Sequence, residues 1–297
     1  MCKIFILRKV FLLANPVAGN GKTAKFLPLV ESRLIAEGIE YQLFLTTHDQ
    51  FADKIISSNL NSSFTDLWVV GGDGTFHEAL NGLSDYNLTV AVIQTGTGND
   101  FIKAIGKNYT PKIMLEKAIF AKPKLIDIGV CNGKLFHNGI GIGFDGAVAH
   151  RAAELKTETS GSVLSYYRAI AEGIFNYKGF NMTIKSDGNS AVANSFMLTV
   201  GNGIAFGGGM KVTPKAKIDD GVFDVCHVEK VSVAGRVWRL PFLVAGKHTA
   251  LPKVKYFSAK ELKISSDQQL TAHVDGEIFK SKEFDIKMAD FKLLLRC

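Results

Sequence analysis

The stretch Val69-Val70-Gly71-Gly72-Asp73-Gly74-Thr75 carries the densest chemistry in the chain. Residues 67–70 are apolar and read as a short buried strand, and His77-Glu78-Ala79-Leu80-Asn81-Gly82-Leu83 reads as the start of a helix. Where a strand empties through glycines into a helix N-terminus, unpaired backbone N–H groups converge, and only glycine lets a phosphate come close to them. An acid in such a loop repels phosphate unless a divalent cation sits between them. The segment therefore suggests a nucleotide phosphate bound with Mg²⁺. A lone Gly-Gly-Asp-Gly is also a common tight turn, so the reading needs company.

Two further loops supply it. Val90-Ala91-Val92-Ile93 leads into Gln94-Thr95-Gly96-Thr97-Gly98-Asn99-Asp100-Phe101, which repeats strand, glycine-and-hydroxyl loop, acid and helix. Residues 9–14 form a strand ahead of Asn15-Pro16-Val17-Ala18-Gly19-Asn20-Gly21-Lys22. In parallel α/β sheets ligands sit at the carboxyl ends of strands, so three such loops can face one cleft. Asn15, Gly72, Thr75, Thr97 and Asn99 offer small donors, and Thr46-Thr47 at the end of another strand adds hydroxyls. No Gly-x-x-x-x-Gly-Lys-Ser/Thr loop is present, which argues against a P-loop kinase. Lys22 reads equally as a phosphate contact or a helix-surface lysine.

These loops need elements to hold them. Up to about residue 127 strands alternate with helices, for example a helix over 23–37, a strand over 41–45 and a helix over 113–120. That alternation predicts a parallel, doubly wound α/β domain over residues 1–127. Beyond it, short strands separated by turns are expected over 134–142, 181–185, 194–201, 222–228, 261–265 and 283–288. They predict an antiparallel β-sandwich or barrel domain over 128–288, interrupted by helices over 163–176 and 232–245.

Composition adds limits. The 297 residues suit two domains, with no low-complexity segment or internal repeat. Lys and Arg number 35 against 28 Asp and Glu, a net charge of +7, and most of the excess lies after residue 127. A basic second domain can meet anionic lipid head groups, though an ordinary solvated surface has the same composition. No apolar run approaches the roughly 20 residues of a membrane span. The N-terminal apolar stretch is interrupted by Arg8 and Lys9 and is needed as a strand, so it does not read as a signal sequence. Cys2, Cys131, Cys226 and Cys297 show no paired or metal-like spacing, which favours a reducing cytoplasm.

The motifs together resemble the diacylglycerol and sphingosine kinase family of lipid kinases, closest to its bacterial single-chain members. Gly71-Gly72-Asp73-Gly74-Thr75 with Glu78 and Asn81, Gly96-Thr97-Gly98-Asn99-Asp100, and Asn15-Pro16 with Gly19 and Gly21 carry the likeness. Gly141-Ile142-Gly143-Phe144-Asp145, Asp219-Asp220-Gly221 and Val274-Asp275-Gly276-Glu277 follow in the family's order. His77 and Gly146 depart from the family's usual asparagine and alanine. The resemblance implies ATP and Mg²⁺ as cofactors, a membrane lipid as acceptor, peripheral contact with an anionic membrane from the cytoplasm, and no nucleic-acid partner. It leaves a homodimer open, and it implies that residues 289–297 rejoin the first domain.

It also assigns roles. Phosphoryl transfer needs a held triphosphate, a metal and a base for the acceptor hydroxyl. The nucleotide would meet Asn15, Pro16, Gly19, Gly21, Thr46, Thr47, Gly71, Gly72, Asp73, Gly74, Thr75, Glu78, Gly96, Thr97, Asn99 and Asp100. Asp73 is the metal candidate, Asp100 is also readable as an N-cap, and Glu78 as an orienting group. Asp275 is expected as the base with Glu277 coupled to it on one strand face; Asp73 is the rival base. Asp145 would lie at the lipid entrance. A second, structural cation would be held by Asp220 with the carbonyls of Lys217 and Val222, an ordinary Asp-Asp-Gly turn being the alternative. Residues 163–174 and 237–243 offer an apolar wall for acyl chains or simply core. An NAD kinase, which shares the Gly-Gly-Asp-Gly-Thr loop, and a non-catalytic nucleotide or phospholipid sensor are the competing readings.

Overall fold

A computed structural model describes residues 8–106, 109–158 and 162–297. The chain divides into two compact units: the described residues of Met1–Ile102, Gly106–Ile126 and Phe291–Cys297 form one, and Lys103–Ile105 with Asp127–Asp290 the other.

The first unit contains β1 Lys9–Ala14, α1 Ala18–Ala36, β2 Glu40–Leu45, α2 Ala52–Asn59, β3 Asp66–Gly71, α3 Asp73–Asn81, β4 Thr89–Gln94, α4 Asp100–Ile105 (its last turn belonging to the other unit) and α5 Pro111–Phe120. Strands β2, β1, β3 and β4 are parallel neighbours in that order, and Leu294 and Leu295 near the C-terminus pair in parallel with Thr89 and Val90 of β4. Residues 10–14 and 68–70 are wholly buried. Such unbroken apolar runs are what a strand covered on both faces requires. At the opposite end from the glycine loops, Asp66 accepts from Arg8 at 2.9 Å, and Arg296 stands 3.6 Å away.

The second unit contains β5 Pro123–Cys131 (whose first residues belong to the other unit), β6 Lys134–Phe136, β7 Gly139–Gly143, α6 Phe144–Glu158, α7 Ser162–Asn176, β8 Phe180–Ser186, β9 Asn189–Gly201, β10 Phe223–Glu229, α8 Val233–Ala245, β11 Val254–Ala259, β12 Glu261–Val274 and β13 Glu277–Arg296 (whose residues from Phe291 onward belong to the other unit). Its sheet is antiparallel. β7 and β8 both lie between β9 and β12, β7 at one end and β8 at the other. One core holds Phe136, Ile140, Leu198, Val225, Val274 and Ile286; a second packs Val148, Ile170, Ile174, Met197 and Val228 between sheet and helices. Among the described residues no helix is long and apolar enough to cross a membrane.

The fold class matches expectation, an α/β unit followed by a β-rich one. Local readings differ in instructive places. The expected helix over 23–37 is matched by the regular turns of α1, which follow a left-handed loop at Gly19, Asn20 and Gly21 with φ +58° to +80°. The strand expected over 134–142 is two strands broken at His137 and Asn138. The strand expected over 283–288 and the segment 289–297 expected to rejoin the first domain form one long strand, β13, up to Arg296. Helices α2 and α6 were not anticipated. In α6, Gly146 sits so near β12 that a Cβ would lie 2.2 Å from the Thr271 carbonyl oxygen. That contact explains the glycine at this position.

Two predictions follow from packing. Gly146→Ala forces backbone apart and should cost about 1–3 kcal/mol in denaturant unfolding; an unchanged midpoint would contradict the tight α6–β12 contact. His227 is buried, shares a 2.8 Å hydrogen bond with Ser195 Oγ, and is pushed down from 6.5 to about 4 by burial and by Lys255, against the opposing effect of Glu229. Below 6.5 the unfolded chain takes a proton that the folded one refuses. Stability should therefore fall between about pH 6.5 and pH 4, by up to about 3 kcal/mol from this group. Thermal melts should show a shallower acid loss in His227→Gln.

Candidate active site

The three glycine loops meet at the carboxyl ends of β1, β3 and β4. Asn15 donates its backbone N–H to Val70 O at 3.0 Å, and Thr95 donates to Gly71 O at 2.8 Å, so each loop is pinned to its neighbour. Side chains add Asn15 Nδ2 to Thr75 Oγ1 at 3.2 Å and Thr23 Oγ1 with Thr95 Oγ1 at 2.5 Å. A Cβ on Gly19 would lie 2.0 Å from Thr95 O, and one on Gly96 would lie 2.8 Å from Gly72 Cα. Both are backbone collisions, so the loops pack closely because these residues lack side chains. Asn99 stands at φ +49°, and its Oδ1 is buried with no hydrogen-bond donor.

Gly74 and Thr97 are exposed, and Pro16 is half-buried beside Asn15. Gly21, at φ +80°, has open space where a Cβ would be. Thr46, buried, donates its N–H to Ala14 O at 2.9 Å on the neighbouring strand end, while exposed Thr47 accepts from Gln50 N. Glu78 accepts from Ala52 N at 3.0 Å, at the N-terminus of α2, which fits the orienting role better than a phosphate contact.

Asp73 caps α4 from a distance in sequence. It accepts from Asp100 N at 3.0 Å, from Phe101 N at 3.3 Å and closely from Gln94 Nε2. The helix N-cap is thus Asn99, with Asp100 as the first helical residue. Burial and the Asp100 carboxylate push Asp73 up to about 6, against those hydrogen bonds. Gln94, wholly buried, also accepts from Ile102 N at 3.2 Å. Sequence reading passed over it; its place directly before the second loop was the available signal.

Among the described residues no group of three or more His, Cys, Asp or Glu could hold a metal by side chains alone. Asp73 and Asp100 nevertheless fit Mg²⁺, which usually takes one or two carboxylates and completes its shell with water and substrate phosphates. Both carboxylates lie near Gly98, within 3.5 and 3.9 Å of where its Cβ would be. Asp220 is exposed and accepts weakly from Val222 N at 3.4 Å in a turn whose Gly221 N–H is taken by Asp127.

In the second unit the expected Asp275–Glu277 couple is not formed. Asp275 and Gly276, at φ +49° and +97°, are the two turn residues joining β12 to β13, with Val274 opposite Glu277. Asp-Gly favours such a turn because both positions need positive φ. Glu277 is exposed, whereas the Asp275 side chain is completely buried. Its carboxylate accepts from the backbone N–H groups of His137, Asn138 and Gly139 at 2.9–3.0 Å, and lies 3.0 Å from His137 Nδ1. Asp275, expected as the base, thus stands buried with its oxygens holding the break between β6 and β7.

Asp145 stands in the first turn of α6, buried, accepting from Thr199 Oγ1 at 2.9 Å with His273 Nε2 at 3.5 Å. Burial alone would raise its pKa, but His273, Thr199 and Tyr166 outweigh it and hold the carboxyl below its ordinary range. A Cβ on Gly141 would fall within 2.5 Å of both Asp145 and His273, which accounts for that glycine. Asp145 also lines an apolar cavity walled by Phe144, Ile170, Met197, Leu240 and Leu243. Thr199 and His273 lie too far along the chain for sequence to have joined them to Asp145.

Comparison with known proteins fits this arrangement. Residues 9–131 match the model of the diacylglycerol kinase catalytic domain, and 138–288 that of the YegS C-terminal NAD kinase beta sandwich-like domain. YtlR of Bacillus subtilis (strain 168), named as a candidate lipid kinase, is 27% identical over 96% of this chain and 98% of its own. A diacylglycerol kinase of Staphylococcus carnosus (strain TM300) is 28% identical over 91% of this chain and 89% of its own. The fold is shared with a crystal structure of a candidate diacylglycerol kinase from Bacillus anthracis, with TM-score 0.80, 24% identity and 97% of each chain covered. With both halves of the chain matched in order, it belongs to the diacylglycerol kinase-like lipid kinases in their bacterial single-chain form, phosphotransferases that act on an alcohol group.

Proposed function

We propose that the protein transfers the γ-phosphate of ATP, with Mg²⁺, to the hydroxyl of diacylglycerol or a closely related lipid. The observation that carries the reading is the apolar cavity of the second unit with Asp145 in its wall. A nucleotide-only acceptor would have no use for an aliphatic and aromatic lining of this kind. Acyl chains fill the cavity, and the lipid's polar end lies at Asp145. In the first unit the triphosphate lies against the backbone N–H groups of the glycine loops, with Asn15, Thr75, Thr97 and Asn99 as side-chain donors.

Bound Mg²⁺ would supply charge neutralisation for the phosphates, with Asp73 and Asp100 as its protein carboxylates. Gln94 and the N-terminus of α4 hold Asp73 in place for that task. Asp73 is the acid in the glycine loop and the proposed proton acceptor; Asp275 serves as a positioning residue. Asp220, with the carbonyls of Lys217 and Val222, is kept as a proposed structural cation site.

Exposed Val237, Trp238 and Val244 on α8, with Tyr167 and Phe175 on α7, suit peripheral contact with a bilayer. Arg239 and Lys247 beside them suit an anionic one.

The direct test is transfer of label from γ-labelled ATP, with Mg²⁺, to lipids in mixed micelles, with NAD offered as a rival acceptor. Label should enter the organic phase and fall at least about 100-fold in Asp73→Asn. Leu243→Trp, which fills the cavity, should raise the lipid KM while leaving ATP affinity unchanged. Label on NAD, or full activity in Asp73→Asn, would overturn the proposal.

A further inference from the structure

The cavity of the second unit is not uniformly apolar. Arg236, on α8, lines it at only 8% exposure, and Arg239 stands beside it. Arg236 donates from Nε to Val231 O at 3.2 Å and from Nη1 to Ile174 O at 2.7 Å, and its guanidinium lies 4.5 Å from the Phe196 ring centroid. The Ile174 bond satisfies a carbonyl in the last turns of α7, so part of this side chain's work is structural. Carbonyls and a ring face do not neutralise a charge, however. Among the described residues neither arginine forms an ion pair, Arg236 Nη2 makes no hydrogen bond, and the buried Nε of Arg239 has no acceptor.

A guanidinium kept in an apolar wall without an anion is costly, and the usual remedy is an anionic partner. Met or Leu would have lined an acyl-chain site without that cost. The carboxylate that also lines the cavity, Asp145, is already engaged by Thr199 and His273. Arg236 Nη2, unlike Nε and Nη1, is not sealed against protein carbonyls and is the atom that a ligand's anion can reach.

We infer that this cavity binds an amphiphile bearing a phosphate or carboxylate group, which pairs with Arg236 while its alkyl chain occupies the apolar lining. A planar guanidinium suits either group, since it can offer two parallel N–H donors. The inference rests on reading the cavity as the acyl-chain site and adds a sign of charge to its ligand. Two sources share this chemistry: the acceptor lipid itself, or a separate anionic lipid that occupies the cavity without being phosphorylated.

The experiment compares binding of n-decyl phosphate and n-decanol, each below its aggregation concentration, by calorimetry on the full chain. The wild type should bind the phosphate about tenfold more tightly or better. Arg236→Gln, which keeps amide donors for the two carbonyls but no charge, should lose that preference and retain its decanol affinity. Should Arg236→Gln not fold, Arg236→Lys replaces it and should weaken the preference several-fold. Equal affinities in the wild type, or an undiminished preference in a folded variant, would overturn the inference alone. Binding of neither compound would overturn it together with the acyl-chain reading. Micelles of phosphatidylglycerol with γ-labelled ATP then separate the sources: label on that lipid identifies the acceptor, and changed turnover of diacylglycerol without such label identifies a separate anionic lipid.

Discussion

Backbone pressed against backbone is the constraint on which the first unit depends. Gly19 sits against the Thr95 carbonyl and Gly96 against Gly72, at separations where a methyl group would collide. Those contacts bring three loops from three strands into one surface and fix which of their N–H groups remain available. They also place Asp73 beneath the start of α4, where it accepts the N–H groups of Asp100 and Phe101. A helix N-terminus favours negative charge, while burial and Asp100 oppose it. Asp73 is therefore poised between its two protonation states, a condition that a cation would settle towards the anion.

Three aspartates show how surroundings decide what a carboxylate can do. Asp73 has burial and a like charge working against its ionisation. Asp145 is buried more fully but has His273, Thr199 and Tyr166 to stabilise its anion. Asp275 is sealed among three backbone N–H groups and His137, which makes it a rivet between the β12–β13 turn and the start of β7.

How far each feature could be read in the sequence follows the range of the forces that make it. The glycine loops were legible because their causes are local: apolar strand, small residues, acid and helix within a few positions. The change from alternating helices and strands to strands and turns was legible for the same reason. What was hidden depends on partners distant in sequence. Asp275 meets His137, Asn138 and Gly139 across more than 130 positions, and the break between β6 and β7 exists because those N–H groups turn towards it. Gly141 and Gly146 serve close packing against residues far along the chain, and the latter lies inside α6. Arg236 is one of two arginines on α8, and its burial in the cavity wall sets it apart from Arg239.

The central claim is that the close-packed glycine loops form the nucleotide site. It is tested most directly by the ATP affinity of Gly96→Ala, measured by calorimetry with Mg²⁺, with circular dichroism to verify the fold. A Cβ at that position would lie 2.8 Å from Gly72 Cα and must push the loops of residues 71–75 and 94–101 apart. The account predicts an ATP Kd raised about tenfold or more, while decanol binding in the second unit is unchanged. An unaltered ATP affinity in the folded variant would contradict it.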